Sequence, residues 1–243
     1  MLVKTKIKYI QSLGQKKFRD EADLFIAEGP KVVKELLQAD LTIVKEIFAL
    51  KEWIEENSQL LRNVKVEEIA EADLEKISQL KTPNKVLAVA SRLKQEEKDE
   101  KTGLTLALCG IQDPGNLGTI IRIADWFGIR QVVCSMDSAD VYNPKVVQST
   151  MGSIARVRVI YRDIEKWLSG KKDVRIYAAV LDGQDITRLK RIEKGIILIG
   201  NESKGIGADI LELANVRITI PRKGNAESLN AAVATGILLS HLT

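Results

Sequence analysis

Two kinds of apolar spacing alternate along this chain. In the first ninety residues, LFIAEG (24–29), VKEIFAL (44–50) and VLAVAS (86–91) are compact apolar runs of strand length. Between them, PKVVKELLQA (30–39) opens with proline and places apolar groups at 32, 33, 36 and 37, which predicts an amphipathic helix. Residues 51–61 and 70–80 carry the same helical period, so this half reads as a small α/β sandwich. Beyond residue 103 the alternation strengthens. Short runs rich in Val, Ile and Leu at 104–111, 131–136, 175–181, 195–200 and 215–221 predict strands buried on both faces. Helical stretches at 116–128, 144–152 and 228–242 separate several of them, the last with Leu229, Val233 and Ile237 as its expected core face. The prediction is an α/β protein whose second half is a mostly parallel sheet covered by helices, with ligands bound beyond the strands' carboxyl ends.

One stretch interrupts this pattern. SRLKQEEKDEKTG (91–103) has a single large apolar residue, Leu93, among dense charge, as an exposed linker does. The expected organisation is a domain over 1–92, a linker over 93–103 and a domain over 104–243.

Composition narrows the chemistry. The 243 residues contain one histidine, His241, and two cysteines, Cys109 and Cys134, both inside apolar runs. A Cys/His zinc site or a Ser-His-Asp triad is thereby nearly excluded, and buried free thiols fit a reducing cytoplasm. The apolar runs fall short of the length that spans a bilayer, and the N-terminal segment lacks the apolar core of a secretory signal. The formal net charge is +4, unevenly distributed. Residues 1–19 carry Lys4, Lys6, Lys8, Lys16, Lys17 and Arg19 with no acid, which suits either a polyanion partner or a solvated helix face.

Three loops that follow strands hold more polar groups than turns require. The first, QDPGNLGTIIRIADWFGI (112–129), enters a helix with Leu117, Ile120, Ile121 and Ala124 as its buried stripe, and leaves Asn116, Thr119 and Arg122 elsewhere on it. An Asn116 cap and an Arg122–Asp125 surface pair would be the purely structural explanation. The second, NESKGIG (201–207) after Gly200, combines an amide, an acid and glycines. The third, PRKGNAESLNAAVATGILL (221–239), crowds Arg222, Lys223, Asn225 and Asn230 near Ser228, itself a natural helix cap. The dinucleotide and P-loop glycine fingerprints are absent.

Taken in order, these loops resemble the three motifs of the SpoU/TrmH family of RNA ribose 2′-O-methyltransferases. N-x-G-x-x-x-R falls on Asn116, Gly118 and Arg122; G-N-E on Gly200, Asn201 and Glu202; I-P and S-L-N on Ile220, Pro221, Ser228, Leu229 and Asn230. NPKVVQSTMGSIARV (143–157) resembles the family's segment between the first two motifs. KYIQSLGQKKFRDEADLFIAEGPKVVKELL resembles the L30e-like RNA-binding domain fused to many rRNA-modifying members. Departures are Ser203 for glycine, Ala231 for valine and Thr150 for serine.

The resemblance implies S-adenosyl-L-methionine as cofactor, held by Gly200, Asn201, Ile220 and Leu229, and a deep C-terminal trefoil knot around which the protein forms a homodimer. It implies catalytic roles for Arg122, Asn116, Glu202, Ser228 and Asn230. RNA, rRNA before tRNA, would be the partner, with Lys4, Lys6, Lys8, Lys16, Lys17 and Arg19 contacting phosphates. Alternatives are a tRNA 2′-O-methyltransferase, a base-nitrogen methyltransferase, a dinucleotide enzyme on an open sheet, and a non-catalytic RNA binder. The last predicts damage at Asn116, Arg122, Glu202 or Asn230, and all four are present.

Overall fold

The computed structural model describes residues 1–94, 97, 103–171 and 173–243. The expected linker, 93–103, therefore lies largely outside the described residues. The chain divides into two units: Met1–Lys94 with Asp140–Ala155, and Gln95–Ala139 with Arg156–Thr243.

In the first unit the chain runs through α1 (Lys4–Ser12), α2 (Lys16–Ala22), β1 (Leu24–Glu28), α3 (Pro30–Ala39), β2 (Val44–Ala49), α4 (Lys51–Glu56), β3 (Val66–Glu68), α5 (Glu71–Ile77) and β4 (Val86–Ser91). The sheet order is β1-β4-β2-β3. β4 pairs antiparallel with both neighbours, and β3 adds parallel to β2. α3 has the boundaries its periodicity predicted and buries Val32, Val33, Leu36 and Leu37. On the other side Leu13, Ile26, Phe48, Leu74, Ile77 and Leu87 form one apolar cluster. Glu28 is buried at the end of β1, accepting from Ser78 Oγ and from the Gln79 amide at 2.8 Å. Burial pushes its carboxyl up from the ordinary glutamate value, against those two hydrogen bonds. The segment Asp140–Ala155, expected in the second half, clusters with this unit.

The second unit holds β5 (Leu104–Cys109), α6 (Pro114–Trp126) and β6 (Gln131–Ser135). After α7 (Pro144–Thr150), which clusters with the first unit, come β7 (Arg158–Arg162), α8 (Ile164–Ser169), β8 (Ile176–Asp185), β9 (Gly195–Gly200), α9 (Ala208–Glu212), β10 (Val216–Thr219) and α10 (Ala231–Leu242). Six strands form one sheet in the order β10-β8-β9-β5-β6-β7, every adjacent pair parallel. The order changes direction at β5 and β9, and the loops beyond their carboxyl ends are the first two polar loops of the sequence.

β8 contains an excursion. Its Tyr177 and Ala178 pair with Val216 and Arg217, and the ladder resumes at Gln184 and Asp185 against Ile218 and Thr219. Residues 179–183 leave the ladder between these pairings, with Leu181 exposed at 76%. A methyl group on Gly183 would stand 2.8 Å from the Arg217 carbonyl carbon, so only glycine lets β8 return this close to β10.

α10 corrects one expectation. It begins at Ala231 rather than 228, and it buries Ala231, Ala232, Thr235, Leu238, Leu239 and Leu242. Leu229 and Val233, expected in the core, are exposed. The helix is apolar nearly all round, so its pattern carries no direction, and packing chose the face.

Candidate active site

The first loop is organised by Asp113. Its carboxylate caps α6 by accepting from the Asn116 amide at 2.8 Å, and Pro114 takes the first helical position. Asn116 is therefore not the cap, and its side chain is left for other work. Leu117, Ile120, Ile121 and Ala124 are buried as predicted. The expected Arg122–Asp125 pair does not form, because Asp125 accepts from Arg156 Nε and Nη2 at 2.9 and 2.8 Å. Arg122 is exposed and makes no hydrogen bond or ion pair among the described residues.

The second loop closes on itself. Asn201 and Gly205 exchange backbone hydrogen bonds of 3.1 and 2.9 Å, and Gly205 sits at φ +67°. Asn201 Oδ1 accepts from the amides of Ser203 and Lys204, while its Nδ2 donates to the Gly110 carbonyl at 2.7 Å. Gly200 and Gly205 touch so closely that a methyl group on Gly200 would lie 2.6 Å from the Gly205 carbonyl carbon. The serine at 203 costs nothing here, since it is exposed and only its amide is used.

In the third loop Asn230, not Ser228, caps α10: its Oδ1 accepts from Ala232 and Val233 at 3.0 and 3.2 Å. Its Nδ2 then donates to Asn116 Oδ1 at 2.9 Å, and Asn116 Nδ2 donates to Glu202 Oε1. One hydrogen-bonded chain, Asn230–Asn116–Glu202, thus ties the three loops together across more than a hundred residues of sequence. Each amide uses both its donor and its acceptor, which fixes the direction of the chain.

Beside it lies a pocket of about 680 Å³, within the range of small-molecule sites. Gly200, Asn201, Glu202, Ile220, Ser228 and Leu229 all line it, with Val180, Ile206 and Leu238 among its apolar walls. Arg122, Asn116 and Asn230 stand outside that lining.

Sequence reasoning missed a support beneath the second loop. Ser135 Oγ, at the end of β6, accepts from the Gly110 amide at 2.8 Å and donates to Asp137 Oδ1 at 2.5 Å. Gly110, at φ +70°, in turn receives Asn201. The polar run SMDS directly after an apolar strand was the available signal. Cys109 takes no part as a nucleophile, since burial and the nearby Asp137 push its thiol up to about 12. Burial raises Cys134 as well.

The basic arm is only partly available. Lys4, Lys8, Lys16 and Lys17 are exposed. Lys6 is held by Glu46 and Glu67 at 2.7 and 2.6 Å. Arg19 corrects its expectation outright: it is 1% exposed, donating to the carbonyls of Leu13 and Gly14 and to Asp140. A guanidinium so enclosed is part of the packing and cannot meet a phosphate.

The sequence pattern of the SpoU rRNA Methylase family matches residues 103–240, and that of the MRM3-like substrate binding domain matches residues 4–88. The 23S rRNA (guanosine(2553)-2′-O)-methyltransferase RlmP of Bacillus subtilis (strain 168) is 33% identical over 240 residues, covering 98% of this chain and 95% of its own. A TrmH-family protein from Porphyromonas gingivalis superposes with a TM-score of 0.85 at 37% identity, covering 100% of this chain and 98% of its own. The AdoMet-bound rRNA methyltransferase from Sinorhizobium meliloti superposes equally well at 28% identity, covering 100% and 95%. Its three strand-end loops, and relatives matched over nearly their whole length, mean that this chain belongs to the SpoU rRNA methylase family.

Proposed function

We propose that this protein methylates a ribose 2′-hydroxyl of ribosomal RNA, with S-adenosyl-L-methionine as the methyl donor. The carrying observation is the Asn230–Asn116–Glu202 chain, which joins the three motif loops beside one pocket. The residues present fit the donor. The pocket is large enough, Val180, Ile206 and Leu238 offer apolar contact, and the glycine-tight loop after β9 presents backbone groups instead of bulk. Gly200, Asn201, Ile220 and Leu229 would hold it. When bound, it supplies a methyl group on a sulfonium, an electrophile that needs no metal.

The protein's own task is to place the ribose oxygen and ease the loss of its proton. Arg122, cationic and without a counter-ion among the described residues, clamps an RNA phosphate and stabilises the developing 2′-alkoxide. A guanidinium does not serve as a free base, so phosphate or water takes the proton. Asn116 is a positioning residue, its amide plane set by Glu202 and Asn230, and Ser228 holds substrate at the third loop. The first domain docks the RNA, with Lys4, Lys8, Lys16 and Lys17 on phosphates. The relationship with B. subtilis RlmP favours 23S-type rRNA over tRNA.

The reading extends to a homodimer through the second unit, supported by Trp126 on α6 and Val233 on α10, exposed at 85% and 51%. It also includes the trefoil knot that membership of the family implies. Two buried free thiols fit action in the cytoplasm.

The test is transfer of a labelled methyl group into total RNA from a strain deleted for this gene, with the modified nucleotide mapped. Label on a ribose of 23S-type rRNA is the expected result. Label confined to a base overturns the reaction, and label confined to tRNA overturns the substrate.

A further inference from the structure

The connection from β8 to β9 carries charge that the proposed mechanism leaves unused. Residues 186–195 contain Arg188, Lys190, Arg191 and Lys194 against the single acid Glu193, a net +3 in ten residues of a chain whose total is +4. All four cations are exposed. Among the described residues, the only ion pair they make is the loose 4.0 Å approach of Arg188 to Asp185, with the arginine side chain 83% exposed. In the same unit Arg156, Arg162, Lys166 and Lys171 each have a carboxylate at 2.8–3.5 Å, whereas Arg122, Arg175 and Arg217 have none among the described residues.

The connection is also fixed in place. Asp185 accepts from the Thr187 amide and hydroxyl, both at 2.8 Å, and starts one turn of 3₁₀ helix, Ile186–Arg188. Ile186 is 1% exposed and Ile192 8%, and the Ile192 amide donates to the Leu242 carbonyl at 2.7 Å. The 3₁₀ turn packs on α10, the helix whose Ala234 and Leu238 line the pocket. Two buried isoleucines therefore anchor the segment and leave its cations in solvent. Uncompensated like charges on an anchored loop raise self-repulsion unless an anion relieves it.

We infer that Arg188, Lys190, Arg191 and Lys194 form a phosphate-contacting surface of the second unit, where the backbone of the substrate RNA docks independently of the first domain. The inference rests on the proposed RNA substrate. Phosphate contacts release counter-ions, so each contributes roughly 0.7–0.9 to the slope of log K against log salt concentration. Such contacts position a backbone and read no bases.

The experiment compares wild type with the full-length R188Q/K190Q/R191Q/K194Q variant. RNA affinity is measured across a salt series using rRNA transcript, alongside donor affinity, melting temperature and steady-state methyl transfer. Expected are a slope smaller by about 3, at least about tenfold weaker RNA binding near 0.1 M salt and a raised KM for RNA. Donor affinity and kcat at saturating RNA stay unchanged. A folded variant with wild-type affinity and slope overturns the docking surface while leaving the methyltransferase reading intact. A wild-type protein that methylates no RNA overturns both. If the fourfold variant fails to fold, K190Q and R191Q are tested singly. A slope lowered by about one in each supports the surface, and unchanged slopes reject it.

Discussion

Asn116 and Arg122 sit on one helix about 9 Å apart along its axis, yet their situations are opposite. Asn116 is bonded at both ends of its amide, whereas Arg122 has no partner among the described residues. Replacing each should therefore give different defects. Arg122→Ala should retain donor affinity and melting temperature while methyl transfer falls at least about 10³-fold, since the role proposed for Arg122 is to stabilise charge in the transition state. Asn116→Ala breaks the chain between the three loops. Its transfer should fall about 10²-fold, with a measurable weakening of donor binding by calorimetry. Equal effects from the two variants would contradict this division of roles.

Glu28 sets a different kind of test at the same scale. Burial raises its carboxyl above the unfolded value, so the folded protein holds that proton more tightly. Stability from this group is greatest below the ordinary glutamate value and declines as pH rises through the raised one. Glu28→Gln removes the titration, and it keeps an oxygen for the Gln79 amide. The difference in melting temperature between variant and wild type should grow in the variant's favour across that window. A constant difference would mean that Glu28 does not titrate in it.

Among the elements, the loop from Gly200 to Gly205 depends on a missing side chain. Its two ends meet where a methyl group on Gly200 would stand 2.6 Å from backbone, a distance that requires the loop to move. Gly200→Ala should weaken donor affinity about tenfold or more, as an order of magnitude corresponds to about 1.4 kcal/mol of lost fit. The melting temperature should fall only modestly, because the strand core, Ile196–Ile199, stays buried. Isothermal calorimetry on the variant decides the matter, and unchanged affinity would remove this loop from the donor site. The neighbouring α10 shows how an element can be legible in type and opaque in orientation. Its N-cap is Asn230, and its exposed face includes Val233, because a helix apolar on all sides leaves the choice to its neighbours.

For the whole molecule, the exposed Trp126 is the group best suited to report the proposed dimer. A tryptophan 85% exposed near the end of α6 is expensive to leave in water, and burial against a second copy would relieve it. Trp126→Glu should halve the solution mass measured by light scattering while leaving the circular dichroism spectrum in place. A wild-type protein already monomeric at micromolar concentration would end the dimer reading. On the first unit, neutralising Lys4, Lys8, Lys16 and Lys17 should lower RNA affinity and its salt slope, whereas changing the buried Arg19 should lower stability instead.

What the amino-acid sequence determined by itself was whatever depends on neighbours a few positions apart. The period of α3, the buried stripe of α6 and the compact runs of β5 and β9 follow from local spacing, and they were readable. So were the three loops, because polar residues after buried strands stand out against their surroundings. β3 was not, since Val66–Glu68 is three residues with two acids and forms a strand only because β2 offers an edge. Tertiary structure alone decided that Arg19 is enclosed and that Asn230, Asn116 and Glu202 are bonded in series. Hydrogen bonds between residues 86 and 114 positions apart exist only once the sheet brings its strand ends together, and no local pattern encodes them.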